Sequence, residues 1–239
     1  MNKQGVGRAL MVSIGSVLLG ASPQVEAGQW VVIAAEQTSL QPGALLDGKQ
    51  PVKLAEGARL TLLAEDGKTL KLTGPYSGVP GSGGATGART DNLTAIASLL
   101  RGHPQSTSTL GAMRGNSSRE PSTADLINVD HSGERCLNSD PVVLWRGNAA
   151  DLESVTLTDA QGARLASLTW SAGEARLPTP GRYFEDGKTY LLQRPDKSVS
   201  LRIHKAAAAP SNQAALAAWM AKSGCKAQAL SVLSQLTEE

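Results

Sequence analysis

Residues 51–76 read PVKLAEGARLTLLAEDGKTLKLTGPY, and apolar side chains recur at every second position: Val52 and Leu54, Leu60 and Leu62, Leu70 and Leu72. That period sends alternate side chains to opposite faces of an extended chain, so each run buries its apolar face only within a sheet. Asp66-Gly67 separates two such runs and predicts a two-residue hairpin with positive φ at both turn positions. Asp47-Gly48 marks another turn, and WVVIA (30–34) reads as a short strand. The expectation is a compact all-β unit over 30–76, within a first domain at 28–78.

The same punctuation returns after residue 124. Strand candidates fall at 126–130, 142–146, 154–158, 164–170, 189–194 and 198–204, separated by Asp159-Ala160-Gln161-Gly162, Glu185-Asp186-Gly187 and Arg194-Pro195-Asp196. Six short strands at this spacing predict an immunoglobulin-like sandwich over 124–205. Trp145 and Trp170, flanked by apolar neighbours, are expected in its core.

AAAAPSN (206–212) ends the β pattern. Ser211 or Asn212 can cap a helix running to Ser223, with Leu216, Trp219 and Met220 on one face. Gly224 stops it, and a second helix over about 226–236 carries Ala229, Leu230, Leu233 and Leu236 at helical spacing. The resulting αα-hairpin at 210–237 cannot bury its apolar face alone. Docking on the sandwich is the expected solution.

Two cysteines exist, Cys136 and Cys225. The N-terminus explains their state. Lys3 and Arg8 precede an apolar run (9–21) too short to span a bilayer, and Val25-Glu26-Ala27 offers a cleavage site after Ala27. These features predict a signal peptide at 1–27 and a mature chain in the periplasm, without a transmembrane segment. In that oxidising space the two cysteines are expected to pair. A reactive thiol pair would show a C-x-x-C spacing, which is absent.

The net charge is +2, falling to +1 once Lys3, Arg8 and Glu26 are removed. The basic residues are scattered, so no nucleic-acid footprint emerges.

Between the two β regions lies PYSGVPGSGGATGART (75–90). Gly81, Gly83 and Gly87 match neither G-x-G-x-x-G nor G-x-x-x-x-G-K-[ST], and the preceding strand belongs to a meander of hairpins rather than to a βαβ unit. The run reads as a connector within a linker at 79–123. One short helix interrupts that linker at 91–101, with Leu93, Ile96, Leu99 and Leu100 on one stripe. Polar residues 103–122 are expected to be disordered, and the sequons at Asn92 and Asn116 carry weight only if the source is not bacterial.

The segment LQPGALLDGKQPVKLAEGARLTLLAEDGKTLKLTGP resembles the small β-domain of the ferric-citrate regulator (FecR-like) family. The matching positions are Gly43 with Leu46, Gly57-Ala58 with Leu60 and Leu62, and Asp66-Gly67 with Leu70 and Leu72. The resemblance covers about 45 residues and implies strand and turn chemistry, not a catalytic site. Members include inner-membrane sensors with an N-terminal cytoplasmic segment and a transmembrane helix, neither of which is read here. No signalling role is therefore implied.

No catalytic constellation stands out. Asp130-His131-Ser132-Gly133-Glu134 holds a single imidazole and reads as a solvated turn rather than a metal half-site. Ser223-Gly224-Cys225-Lys226 matches S-x-x-K, but a glycine and a helix break lie inside it. No cofactor and no metal are expected. With four Trp, three Tyr and one Phe, few aromatics remain for surface recognition. Tyr76, Tyr183, Phe184 and Trp219 are the candidates. The expected function is a non-enzymatic periplasmic scaffold or interaction module that meets an envelope protein through its helical hairpin. The alternative is an envelope hydrolase, or a peptidoglycan- or carbohydrate-binding protein, using His131 with nearby carboxylates.

Overall fold

The computed structural model describes residues 28–81, 90–103, 121 and 123–238. The expected signal peptide, the glycine-rich stretch 82–89, the Asn116 sequon and most of the polar stretch after His103 lie outside the described residues. The protein is mainly β with a C-terminal helix pair.

The first unit is a four-stranded antiparallel sheet. Its strands are β1 (Gln29–Glu36), β2 (Leu45–Asp47), β4 (Arg59–Ala64) and β5 (Thr69–Thr73), in the order β2-β1-β4-β5; β3 (Val52–Leu54) pairs with β6 (Tyr76–Gly78) beside it. The β4–β5 hairpin falls where Asp66-Gly67 predicts it, but its turn differs. Gly67 alone takes positive φ (88°), its N–H donates to the Ala64 carbonyl, and the Ala64 N–H donates to the Lys68 carbonyl. This is a three-residue loop closed by glycine in the left-handed region, not a two-residue turn. The Asp66 carboxylate caps the loop by accepting from the Lys68 N–H at 3.1 Å.

Both faces of this sheet are buried. Trp30, Val32, Leu60 and Leu62 face β3 and β6, whereas Val31, Ile33 and Leu63 face a layer of three helices. Those helices are α1 (Thr90–Arg101), α2 (Gln213–Lys222) and α3 (Lys226–Glu238). The helix expected inside a linker is thus a core element, with Leu93, Ile96 and Leu100 almost fully buried. It crosses the β1–β2 loop so closely that a Cβ on Gly43 would lie 2.6 Å from the Ala97 carbonyl oxygen. Gly43 also holds φ at 86°, so any larger residue would push α1 off the sheet.

The C-terminal hairpin buries its apolar face on this sheet and on α1, which corrects the expected site of docking, while its link to the sandwich runs through the Cys136–Cys225 bond and the Gln228 contacts with β8. Asn212 is the α2 cap, its side chain accepting from the Ala215 N–H at 2.8 Å. The buried face of α2 is Ala214, Ala217, Ala218 and Met220, while Leu216 and Trp219 are only partly covered. Alanine wins the interior because it lets α2 approach α1 and α3 closely. In α3 the buried residues are Gln228, Ala229, Val232, Leu233 and Leu236.

The second unit has two sheets around one core. The larger orders β11 (Arg164–Trp170), β10 (Glu153–Asp159), β13 (Thr189–Gln193), β14 (Ser198–Lys205) and β8 (Gly133–Leu137). The smaller orders β12 (Arg176–Thr179), β9 (Val142–Trp145) and β7 (Leu126–Asn128). All six expected strands are present. Two more appear: β12, and β8, whose first two residues fall in the turn expected at 130–134. β8 lies parallel to β14 and β7 parallel to β9. Trp170 is fully buried among Leu144, Leu157, Leu192 and Leu201, but Trp145 is only half-buried and outside that cluster.

Candidate functional site

Two clusters of polar residues deserve a chemical reading. The first closes one end of the second unit. The Arg146 guanidinium, only 2% exposed, pairs with Glu153 at 3.0 Å and lies 5.5 Å from the Trp170 ring centre. It also donates to the carbonyls of Asp151 (2.7 Å), Ser171 (3.0 Å) and Glu174 (3.1 Å). Arg194 grips the same Glu153 through two nitrogens and reaches the Asp130 carboxylate at 2.7 Å. Two arginines and two carboxylates therefore neutralise one another, and every guanidinium nitrogen of Arg146 is held by acceptors from two loops and from β10. The arrangement knits chain segments rather than presenting a reactive group.

Burial pushes the Asp130 carboxyl up, but the hydrogen bond from Arg194, the Gly147 N–H and the charges of Arg194 and Lys197 outweigh it and hold the carboxyl below the usual range. Likewise, desolvation lowers Arg194 but the two carboxylates more than compensate, holding it above its ordinary value. A depressed Asp130 contributes stability above the unfolded carboxyl pKa of about 3.9. That contribution vanishes as pH falls through the folded value. Asp130→Asn is therefore expected to be less stable than the parent at pH 7, with the gap closing below about pH 4. Denaturant midpoints measured from pH 7 to pH 3 check it, and a gap independent of pH would refute it.

The second cluster lies where the two units join. Cys136 on β8 and Cys225 at the α2–α3 turn form a disulfide with Cα atoms 5.9 Å apart, as expected from the sequence. Three residues later, one turn into α3, Gln228 adds a second clip. Its side-chain oxygen accepts from the Cys136 N–H at 2.8 Å, and its Nε2 donates to the carbonyls of Cys136 (2.8 Å) and Ala124 (2.7 Å). A side-chain amide thus imitates a neighbouring strand and satisfies the exposed edge of β8. Gln228→Leu leaves three buried backbone groups without partners and is expected to cost roughly 2–3 kcal/mol. Faster amide exchange at Cys136, alongside a lower denaturant midpoint, checks this.

Beside these two clips lies a cavity of about 190 Å³ lined by residues of β7, of β8 and of the first turn of α3. Arg135 shapes its rim by donating to the carbonyls of Asn128 (2.9 Å), His131 (2.7 Å) and Glu134 (2.8 Å). Glu134, also in the lining, pairs with His204 across β14 and has Arg202 at 3.9 Å.

The histidine that meets Glu134 is thus His204, not His131, which is exposed and absent from the cavity lining. Asp130 is held by Arg194 instead. The carboxylate–His131 arrangement considered from the sequence is not assembled. Nor does S-x-x-K form a unit, because Ser223 ends α2 and Lys226 opens α3. Among the described residues, no group of three potential metal-ligating side chains converges.

Of the aromatic candidates, Phe184 is 2% exposed and stacks edge-on against Tyr190 at 5.2 Å, so it belongs to the core. Tyr183 is half-buried beneath the Arg182 guanidinium, and Tyr76 donates to the Val79 carbonyl at 3.3 Å. Trp219 packs against the helical core. The structure does not bring these four together. Sequence reasoning missed Asn128, Arg135 and Gln228, and also Arg146, because polar residues in short apolar strands or on a mixed helix read as solvent-facing. Among the described residues no helix is long and apolar enough to cross a membrane. No family model, no curated protein and no solved structure matches the chain.

Proposed function

We propose that the chain is a non-enzymatic, exported interaction module whose recognition surface is the junction between its two units. A disulfide suits an oxidising compartment such as the periplasm. The first sheet is read as FecR-like on its strand and turn pattern, and the two-sheet unit as immunoglobulin-like on its strand number. Neither likeness carries a function by itself. The apolar face of the helical hairpin is not the recognition surface, because it packs inside its own chain.

The observation that carries the reading is the cavity fixed beside the Cys136–Cys225 bond and the Gln228 clip. A concave surface held by a covalent link and three hydrogen bonds is preorganised, which lowers the ordering cost of binding. Its partner is an envelope protein. Site-specific photo-crosslinking in envelope extract tests this, with the probe at exposed Lys226 on the junction or at exposed Arg164 on edge strand β11. Adducts unique to position 226 are expected. The same adducts from both positions, or none from 226, would overturn the reading.

A further inference from the structure

The junction cavity contains an unanswered donor. Strand alternation sends Ile127 into the core of the second unit and turns Leu126 and Asn128 toward the cavity, where both belong to the lining. Asn128 is 2% exposed; its Oδ1 accepts from the Asp130 N–H at 2.8 Å, and its Nδ2 has no hydrogen-bond partner. A buried amide N–H left in that state carries the desolvation penalty of an unmade hydrogen bond. Nδ2 itself is sealed behind the lining, so an acceptor in the cavity removes that cost once the amide turns toward it.

A second donor set points the same way. The first-turn N–H groups of α3 at Ala227 and Gln228 have no carbonyl one turn back within the helix. The residue before the helix, Cys225, has its sulfur in the disulfide and offers no side-chain oxygen as a cap. The side chain of Gln228 is already committed to Ala124 and Cys136. The positive end of the α3 dipole, the Lys226 ammonium and the Arg135 guanidinium all favour negative charge here. The lining's carboxylate, Glu134, is paired with His204 and has Arg202 nearby, which reduces its repulsion. Leu126 supplies an apolar wall. The volume of about 190 Å³ exceeds the roughly 30 Å³ of one water severalfold, so a small organic anion fits.

We propose that this cavity binds a carboxylate bearing a short apolar substituent, held by Asn128 Nδ2 and the first turn of α3, with Leu126 against the substituent. A free alkanoate and the C-terminal residue of a peptide share that chemistry. The inference rests on the reading of the junction as a recognition surface and gives that surface a ligand class.

The test is an amide NMR titration of the isotope-labelled chain with propionate, with N-acetyl-alanyl-alanine and with the C-terminal amide of the same peptide. Saturable shifts at the Asn128 side-chain amide and at the Ala227 and Gln228 N–H groups are expected with both acids and not with the amide. Tighter binding of the peptide acid than of propionate assigns the ligand to a peptide terminus; equal binding assigns it to a free acid. Asn128→Asp keeps the acceptor for the Asp130 N–H but loses the donor, and should weaken binding by about tenfold or more. Lys226→Glu alters an exposed side chain, leaves folding intact, and should weaken it severalfold. Absence of saturable shifts at Asn128, equal response to the amide, or undiminished binding by Lys226→Glu would overturn the proposal. Retained acid binding with no crosslinks at position 226 would instead reject only the protein-partner reading.

Discussion

Arg146→Ala is expected to cost about 3–5 kcal/mol of folding stability, because it removes one partner of a buried ion pair and leaves the other charge short of compensation. Arg146 is nearly inaccessible, and Glu153 beside it is 11% exposed. Three loop carbonyls, those of Asp151, Ser171 and Glu174, lose their donor at the same time. The Trp170 ring loses the cation packed against its face. At about 2–4 °C per kcal/mol for a chain of this size, the melting temperature should fall by roughly 10 °C. Glu153 would keep Arg194 as a partner, so unfolding rather than rearrangement of Glu153 is the expected response. Thermal and denaturant unfolding of the variant provide the measurement. A loss under about 1 kcal/mol, the range of surface ion pairs, would show that the network is not a structural keystone.

Replacing both cysteines, Cys136→Ser with Cys225→Ser, should lower stability by a similar amount through a different route. The bond closes a loop of 89 residues, and the chain-entropy argument assigns such a loop about 4–5 kcal/mol. Most of that effect resides in the unfolded chain, whose ends become free to separate. The native state also changes, because Cys136 and Cys225 are both buried in the cluster that joins β8 to the helices. Hydrogen exchange separates the two contributions. Protection should fall most in α3 and β8, while β10 and β13, whose packing lies within the second unit, should change only in proportion to global stability. Equal denaturant midpoints for the parent and the double variant would contradict the argument.

The Gln228 clip explains why these effects should couple. It lies one turn beyond Cys225 and binds the backbone of Cys136 itself, so the start of α3 and the turn before it hold β8 by a covalent bond and two hydrogen bonds, with a third to the Ala124 carbonyl. Gln228→Leu combined with the cysteine variants should therefore be non-additive, because the two restraints share the same pair of elements.

Much of the secondary structure was legible in the residues. Alternation at Leu60, Leu62, Leu70 and Leu72 placed β4 and β5, and Asp66-Gly67 placed their hairpin, though the turn uses one left-handed residue rather than two. Pairing of the two cysteines followed from their number and the expected export. WVVIA carried a further signal: apolar residues on both sides of β1 meant that both faces of the sheet would be covered. The β8 strand was hidden because GERCL lacks alternation and follows turn residues. Its pairing depends on β14 running parallel beside it and on an amide from a helix 92 residues away.

Local chemistry in the sequence settled where most of the strands and all three helices form, because backbone preference and side-chain period act over a few residues. Which faces meet was decided only in three dimensions. Val31 and Leu63 needed an apolar cover, and α1, α2 and α3 supplied it from positions far along the chain. The same closure placed Asn128, Arg135 and the start of α3 around one cavity. No spacing along the chain encodes that meeting, since burial depends on total apolar area and available volume rather than on order.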